Sequence, residues 1–330
     1  MNRRELLRLL SIAGTLVGFP QTAMAETAAK VDAAGEVEQF ALLNAHLWQV
    51  FVLSKSKRLV YPLARDQLGM LIGRMEKARS TAVHEGMCVL ACELFQLAGE
   101  SLFDGNRYTD AAYCYGLAAS AGREARAYDQ WACALTRQAF INMYDQQFAQ
   151  AATILAAASR VAGRGDSQLS TRHRVAAAQA QAHAGLGDLD TCNRALDEAD
   201  KVLNLTGSVN PGGWLRFDGS RLAEERGGCY LYLGRADLAG TALTEALGQT
   251  VSMRRQGSIL TDMAMLGVQR NDLDQVLHHA DQATILAERT QSAGYVGRKL
   301  QSLRLQLTPF LKDARVDDLN LRITRLSGSV

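Results

Sequence analysis

Histidine and cysteine are the side chains here most able to do chemistry, and their spacing limits what that chemistry could be. The histidines are His46, His84, His173, His183, His278 and His279, and no HExxH or related pair occurs among them. The two-imidazole, one-glutamate arrangement of zinc hydrolases is therefore missing. His278-His279 with Asp281 has metal-ligand composition. Neighbours on a helix, however, point about 100° apart and share one ion poorly. A solvated helix face is expected there. Cys88 and Cys92 stand one helical turn apart, and Cys114, Cys133, Cys192 and Cys229 are scattered without a CxxC. They read as buried reduced thiols acting as small hydrophobes, which fits a reducing compartment. The GxG of "AGLGDLD" follows no strand and does not read as a phosphate cradle. Asn204-Leu205-Thr206 is a glycosylation sequon by composition only. No catalytic constellation emerges, so a non-enzymatic chain with no metal and no cofactor is expected.

Composition sets the class. The chain has 330 residues, 48% of them hydrophobic and 6% aromatic, which is ample for a large core and unlike a disordered or collagenous chain. Lys and Arg number 36 against 34 Asp and Glu, a balance that gives no general pull toward nucleic acid or anionic membranes. No direct nucleic-acid binding is expected.

The elements that must position any site recur. Turn-and-helix starts read "GNRYTDAA", "DQQFAQAA", "LGDLDTCN", "LGRADLAG" and "RNDLDQVL". The first small residue of each following helix is Ala111, Ala151, Cys192, Ala239 or Val276, and seven further on stand Ala118, Ala158, Ala199, Ala246 and Ala283. Twelve before it stand Gly99, Ala139, Ala180, Gly227 and Ala264. Three before it are Tyr108, Phe148, Leu189, Ala236 and Leu273; four after it are Tyr115, Leu155, Leu196, Leu243 and Ala280. Copies are spaced 40, 41, 47 and 37 residues apart, so the unit is constant and the linkers vary. Paired helices explain the columns. A small residue in the first helix lets the second approach, the bulky turn residue plugs the gap, and the two later positions pack against the next pair.

These columns resemble the tetratricopeptide repeat, a helix–turn–helix of roughly 34 residues. The family's Gly/Ala of the first helix matches Gly99 and its successors, and its small–aromatic–small triplet matches Ala111, Tyr115 and Ala118. The family's proline after the second helix is missing in all copies. The resemblance implies an all-α fold, a right-handed superhelical array of antiparallel helix pairs, with copies at 92–125, 132–165, 173–206, 220–253 and 257–290. Residues 36–91 read as N-terminal capping helices broken at "SKSK", and 291–330 as a capping helix pair split at "KDA". The whole chain is also similar to the region behind the helix-turn-helix of bacterial Cro/repressor-type regulators, on "NRRELLRLLSIAG" and "GGWLRFDGSRLAEERG". The DNA-binding part of those regulators has no counterpart in it.

Residues 1–35 form a separate N-terminal segment, expected to be poorly ordered. Arg3-Arg4, the apolar stretch from Leu9 to Phe19 and Ala23-Met24-Ala25 read either as a twin-arginine-like export signal cleaved near Ala25 or as an amphipathic helix. The apolar run is too short to span a membrane. Cytoplasmic residence is the reading adopted, with export as the alternative.

The resemblance implies that first helices line a concave groove for a protein or peptide partner. By register the groove takes Glu93, Gln96, Glu100 and Phe103 from the first copy, and Thr136, Phe140 and Met143 from the second. Arg174 and Gln181 follow, then Arg221, Glu224 and Leu231, then Thr261 and Met265. The longest interruption, "TGSVNPGGWLRFDG", offers Trp214, Arg216 and Phe217 either as part of that surface or as filling for the gap that the insertion opens.

Overall fold

Each pair is set by its turn. The residue five before the first small residue has positive φ in every copy: Asn106 65°, Gln146 58°, Gly187 77°, Gly234 67° and Asn271 55°. The next residue's N–H then reaches back to a carbonyl five residues earlier. Those bonds are Arg107 to Leu102 (2.9 Å), Gln147 to Asn142 (2.8 Å), Asp188 to His183 (3.0 Å), Arg235 to Tyr230 (2.9 Å) and Asp272 to Gly267 (2.9 Å). This is the Schellman ending, which needs one left-handed residue. Five identical helix ends therefore release five second helices in one orientation.

The structure, a computed structural model, describes residues 33–54, 56–206 and 217–328. Helices α1 (Ala33–Leu53) and α2 (Tyr61–Lys77) precede the repeats. The pairs are α3 (Thr81–Asp104) with α4 (Tyr108–Glu124), α5 (Tyr128–Tyr144) with α6 (Phe148–Ala162), and α7 (Thr171–Gly185) with α8 (Leu189–Asp200). They continue with α9 (Leu222–Tyr232) and α10 (Ala236–Gln249), then α11 (Met253–Gln269) and α12 (Leu273–Thr290). A π-helical turn (Ala293–Gly297), α13 (Arg298–Gln306) and α14 (Ala314–Gly328) end the described chain. Among the described residues there is no strand. Each helix packs on the next, and the whole is an all-α solenoid of TPR-like helix pairs. The first helices of the first, second, third and fifth pairs begin ahead of a 34-residue unit, lengthening those pairs.

Packing follows the columns. All ten small residues at the paired positions of the second helices are buried, as are Gly99, Ala139, Ala180, Gly227 and Ala264. Their geometry corrects the expected plug. A Cβ at Gly99 would lie 2.4 Å from the Tyr115 ring, and one at Gly227 would lie 2.7 Å from Leu243. The residue four after the first small one therefore fills the crossing within its own pair. The turn residue reaches onward instead: a Cβ at Gly185 would meet the ring of Phe148 from the preceding pair at 2.3 Å.

The break at "SKSK" has its own chemistry. Lys57 donates to the carbonyls of Phe51, Val52 (2.9 Å) and Ser54 (2.9 Å), capping the C-terminus of α1 with a cation. Helix α3 is long and apolar enough to cross a membrane, but most of it is buried against its neighbours, as a core helix.

Candidate functional site

The first helices α3, α5, α7, α9 and α11 also pack against one another in sequence, with α13 following α11, so they form the inner wall of the solenoid. Polar side chains bridge them step by step. Arg137 of α5 pairs with Glu100 of α3, which also accepts from the Tyr115 hydroxyl at 2.7 Å. Arg137 Nε donates to Gln96 at 3.0 Å, and its guanidinium lies 5.6 Å from the Trp48 ring. Between α5 and α7 the link is Arg174 over the Phe140 ring at 4.9 Å. Arg174 then donates to Glu225 of α9 at 2.5 Å. Glu224 accepts from Arg255 of α11 at 2.8 Å and from the Tyr295 hydroxyl at 3.4 Å, with Arg221 at 3.5 Å. Lys299 of α13 closes the series on Asp262 and on Ser258 at 2.9 Å.

Burial and pairing set the protonation of this wall. Burial pushes the Glu100 carboxyl up, but Arg137 and the Tyr115 hydroxyl outweigh it and hold the group below its ordinary value. Glu224 behaves alike under Arg221 and Arg255. Glu93 is pushed up by burial, against the Asn44 amide that donates to it at 3.1 Å.

A second set of contacts joins segments about half the chain apart. Arg254 at the start of α11 pairs with Asp104 at the end of α3, donates to Ser292 at 3.1 Å and lies 4.5 Å from the Tyr295 ring. Arg298 donates to Asp145 at 3.3 Å and covers the Tyr108 ring at 5.4 Å. Phe103 stacks edge-on with Tyr108 (5.2 Å) and Tyr144 (5.0 Å). Tyr295 packs against both of the main hydrophobic clusters. The C-terminal turn thus meets the first two pairs across the interior. Burial, then Arg254, lowers Lys57 at this junction to about 8, against Asp104. Burial raises Asp104 despite Arg254 and Lys57.

Of the groove residues read from the sequence, Glu93, Glu100, Phe140, Gln181 and Arg221 are partly exposed. Gln96, Phe103, Thr136, Met143, Arg174, Glu224, Leu231, Thr261 and Met265 are buried, held between consecutive first helices or beneath the C-terminal turn. Phe217 is buried with Ala176, Ala177, Ala199, Val202 and Leu222, so it fills the gap at the insertion. Trp214 and Arg216 lie outside the described residues. Sequence reasoning missed Arg137, Glu225 and Asp262. All three stand two residues before the Gly/Ala column, a register position that would have found them. Arg254, Tyr295 and Lys299 carried no such signal, because Arg254 precedes the 34-residue unit of its pair and the other two follow the last one.

The reactive residue types are otherwise engaged. All six cysteines are buried and free. Burial pushes the Cys114 and Cys133 thiols up to about 12, which keeps them protonated and poorly nucleophilic at neutral pH. The His278 and His279 rings meet edge-on at 5.0 Å, and burial with His278 lowers His279. Among the described residues no group of three or more His, Cys, Asp or Glu could hold a metal ion.

No family profile matches the chain, and no curated protein matches it. Among solved structures it is similar to the crystal structure of a Rap protein complexed with Competence and Sporulation Factor. The TM-score is 0.52 at 10% identity, covering 88% of this chain and 98% of that one. At that identity the likeness concerns the fold.

Proposed function

We propose that this chain is a non-enzymatic scaffold that binds a protein or peptide segment along the inner wall of its solenoid. The ladder carries this reading. Its buried ion pairs hold the first helices in register, so that the partly exposed Glu93, Glu100, Phe140, Gln181 and Arg221 stand in sequence along the wall, a pattern suited to an extended chain with both charged and apolar side chains. That the similar Rap structure holds a bound factor supports a binding role for such a fold. The similarity to the region behind the helix-turn-helix of Cro/repressor-type regulators favours the sensor or interaction part of a bacterial regulatory system. That part would act in the cytoplasm without touching DNA itself. Export with cleavage near Ala25 is the competing placement, and a mature chain beginning at Glu26 outside the cytoplasm would decide for it.

The test is selection of peptides from a displayed library on the full chain, followed by titration of the best binders. Phe140→Ala and Gln181→Ala should each weaken binding at least about tenfold, the scale of an interface hot spot, with helicity unchanged. Binding that ignores both substitutions, or turnover of a small molecule abolished by either, overturns the reading. Tight, salt-sensitive DNA binding overturns its regulatory part.

A further inference from the structure

The two ends of the solenoid differ in what they show to water. Helix α14 exposes Arg315, Asp317, Asp318 and Arg325 around the single exposed Leu321, the largely polar outer face that a terminal repeat needs for solubility. Helix α1 does the opposite. From Gln39 to its end at Leu53 it contains no Asp, Glu, Lys or Arg. One face is committed: Asn44, Trp48 and Phe51 are buried, and Asn44 donates to the Leu90 carbonyl at 3.1 Å while accepting from Gln67 at 2.7 Å. The other face exposes Leu42 to 58% and Leu53 to 82%, flanked by exposed Leu43, Val50 and Val52.

The order of residues on that face identifies what fits it. Leu42, His46, Gln49 and Leu53 follow the i, i+4, i+7, i+11 spacing of one helical stripe. The stripe is its own complement when reversed. Laid antiparallel across a two-fold axis, Leu42 of one chain meets Leu53 of the other and His46 meets Gln49 along the stripe, while on its two flanks Leu43 comes beside Val50 and Ala45 beside Val52 of the other copy. Apolar groups then cover apolar groups at both ends, and the two polar groups meet at the centre, where an imidazole and an amide can hydrogen-bond. The antiparallel arrangement also keeps the exposed Glu38 of the two copies at opposite ends of the pair. A parallel arrangement would set Glu38 against Glu38.

We propose that the outer face of α1 is a self-association surface, on which a second copy of this chain docks its own α1 antiparallel. The surface is separate from the inner wall, so this proposal stands or falls independently of the partner-binding one. A 21-residue helix is about 31 Å long, and a pair of this length covers less than the roughly 800 Å² per partner of a standard stable interface. The association is therefore a concentration-dependent equilibrium between monomer and dimer.

Sedimentation equilibrium of the full chain from ~1 to ~200 µM, the range that a small interface populates, should show the dimer growing with concentration. Leu42→Glu and Leu53→Glu should each weaken it at least tenfold while helicity stays unchanged, because both positions are exposed. A mixture of His46→Cys and Gln49→Cys chains, oxidised together, should give the mixed disulfide dimer in excess of either homodimer. A monomer at every concentration overturns the proposal. So does a dimer that survives both glutamate substitutions, or a face that binds vesicles of anionic lipid as the monomer, which would make a membrane its occupant.

Discussion

At the scale of single residues, Gly99 shows how one missing methyl sets a helix crossing. Tyr115 is the aromatic member of its column, and its ring occupies the space where a Cβ on Gly99 would stand, 2.4 Å away. The ring is further pinned by its hydroxyl on Glu100, so it cannot swing aside without breaking the 2.7 Å bond. Gly99→Ala should therefore destabilise by about 1–3 kcal/mol, the usual cost of overpacking. Gly116, on the same pair and also helical, has nothing within 4 Å of a Cβ. Gly116→Ala should stabilise by about 0.5–1 kcal/mol through lower backbone entropy in the unfolded chain. Urea midpoints of the two variants make the comparison, and equal midpoints would mean that α3 and α4 do not cross at Gly99.

At the scale of elements, the five turns differ in how well their residues suit one required geometry. Glycine supplies the left-handed position in two copies and asparagine in two, but the second copy uses Gln146 at φ 58°. A long side chain there costs about 1 kcal/mol or more, whereas glycine adopts the region freely. Gln146→Gly should accordingly raise stability by up to about 1 kcal/mol, in an exposed turn where no packing is altered. The converse substitution, Gly187→Ala, should cost a similar amount of about 1 kcal/mol. Its Cβ would have nothing within 4 Å, so the effect comes from the backbone alone. Thermal melts read both changes, and a loss on Gln146→Gly would show that the side chain, not the turn, was holding the pair together.

At the scale of the whole molecule, the ion pair of Arg254 with Asp104 joins residues 150 apart, and that of Arg298 with Asp145 joins residues 153 apart. A solenoid normally touches only nearest neighbours, so such contacts fix how tightly it curls. Asp104 is nearly fully buried, and removing its charge leaves Arg254 facing the interior unpaired, a strongly unfavourable state that unwinding relieves. Small-angle scattering of Asp104→Asn should show a larger radius of gyration than the parent, while circular dichroism keeps the same helical content. An unchanged radius would assign the curl to the pair-to-pair packing alone. If the inner wall binds a partner, this variant also exposes more of it.

What could be learned from the residues alone follows how far each signal reaches along the chain. The columns at Gly99, Ala111, Tyr115 and Ala118, repeated through Ala264 and Ala283, determined the helix pairs. Close packing between neighbouring helices leaves a size constraint at a fixed spacing, and a repeat writes it five times. That Glu100, Phe140 and Gln181 fall on first helices, and Arg221 at the start of one, followed from the same register. Which of their neighbours were buried did not follow, because that depends on how closely one first helix lies on the next. The partners of Arg254, Tyr295 and Arg298 had no local signature at all: the accumulated rotation of the array brings Arg254 to Asp104 and Arg298 to Asp145, and the turn after the last pair folds Tyr295 back onto Glu224. Spacing along the chain fixes what each pair must bury, and only the summed geometry of the array decides which distant surfaces meet.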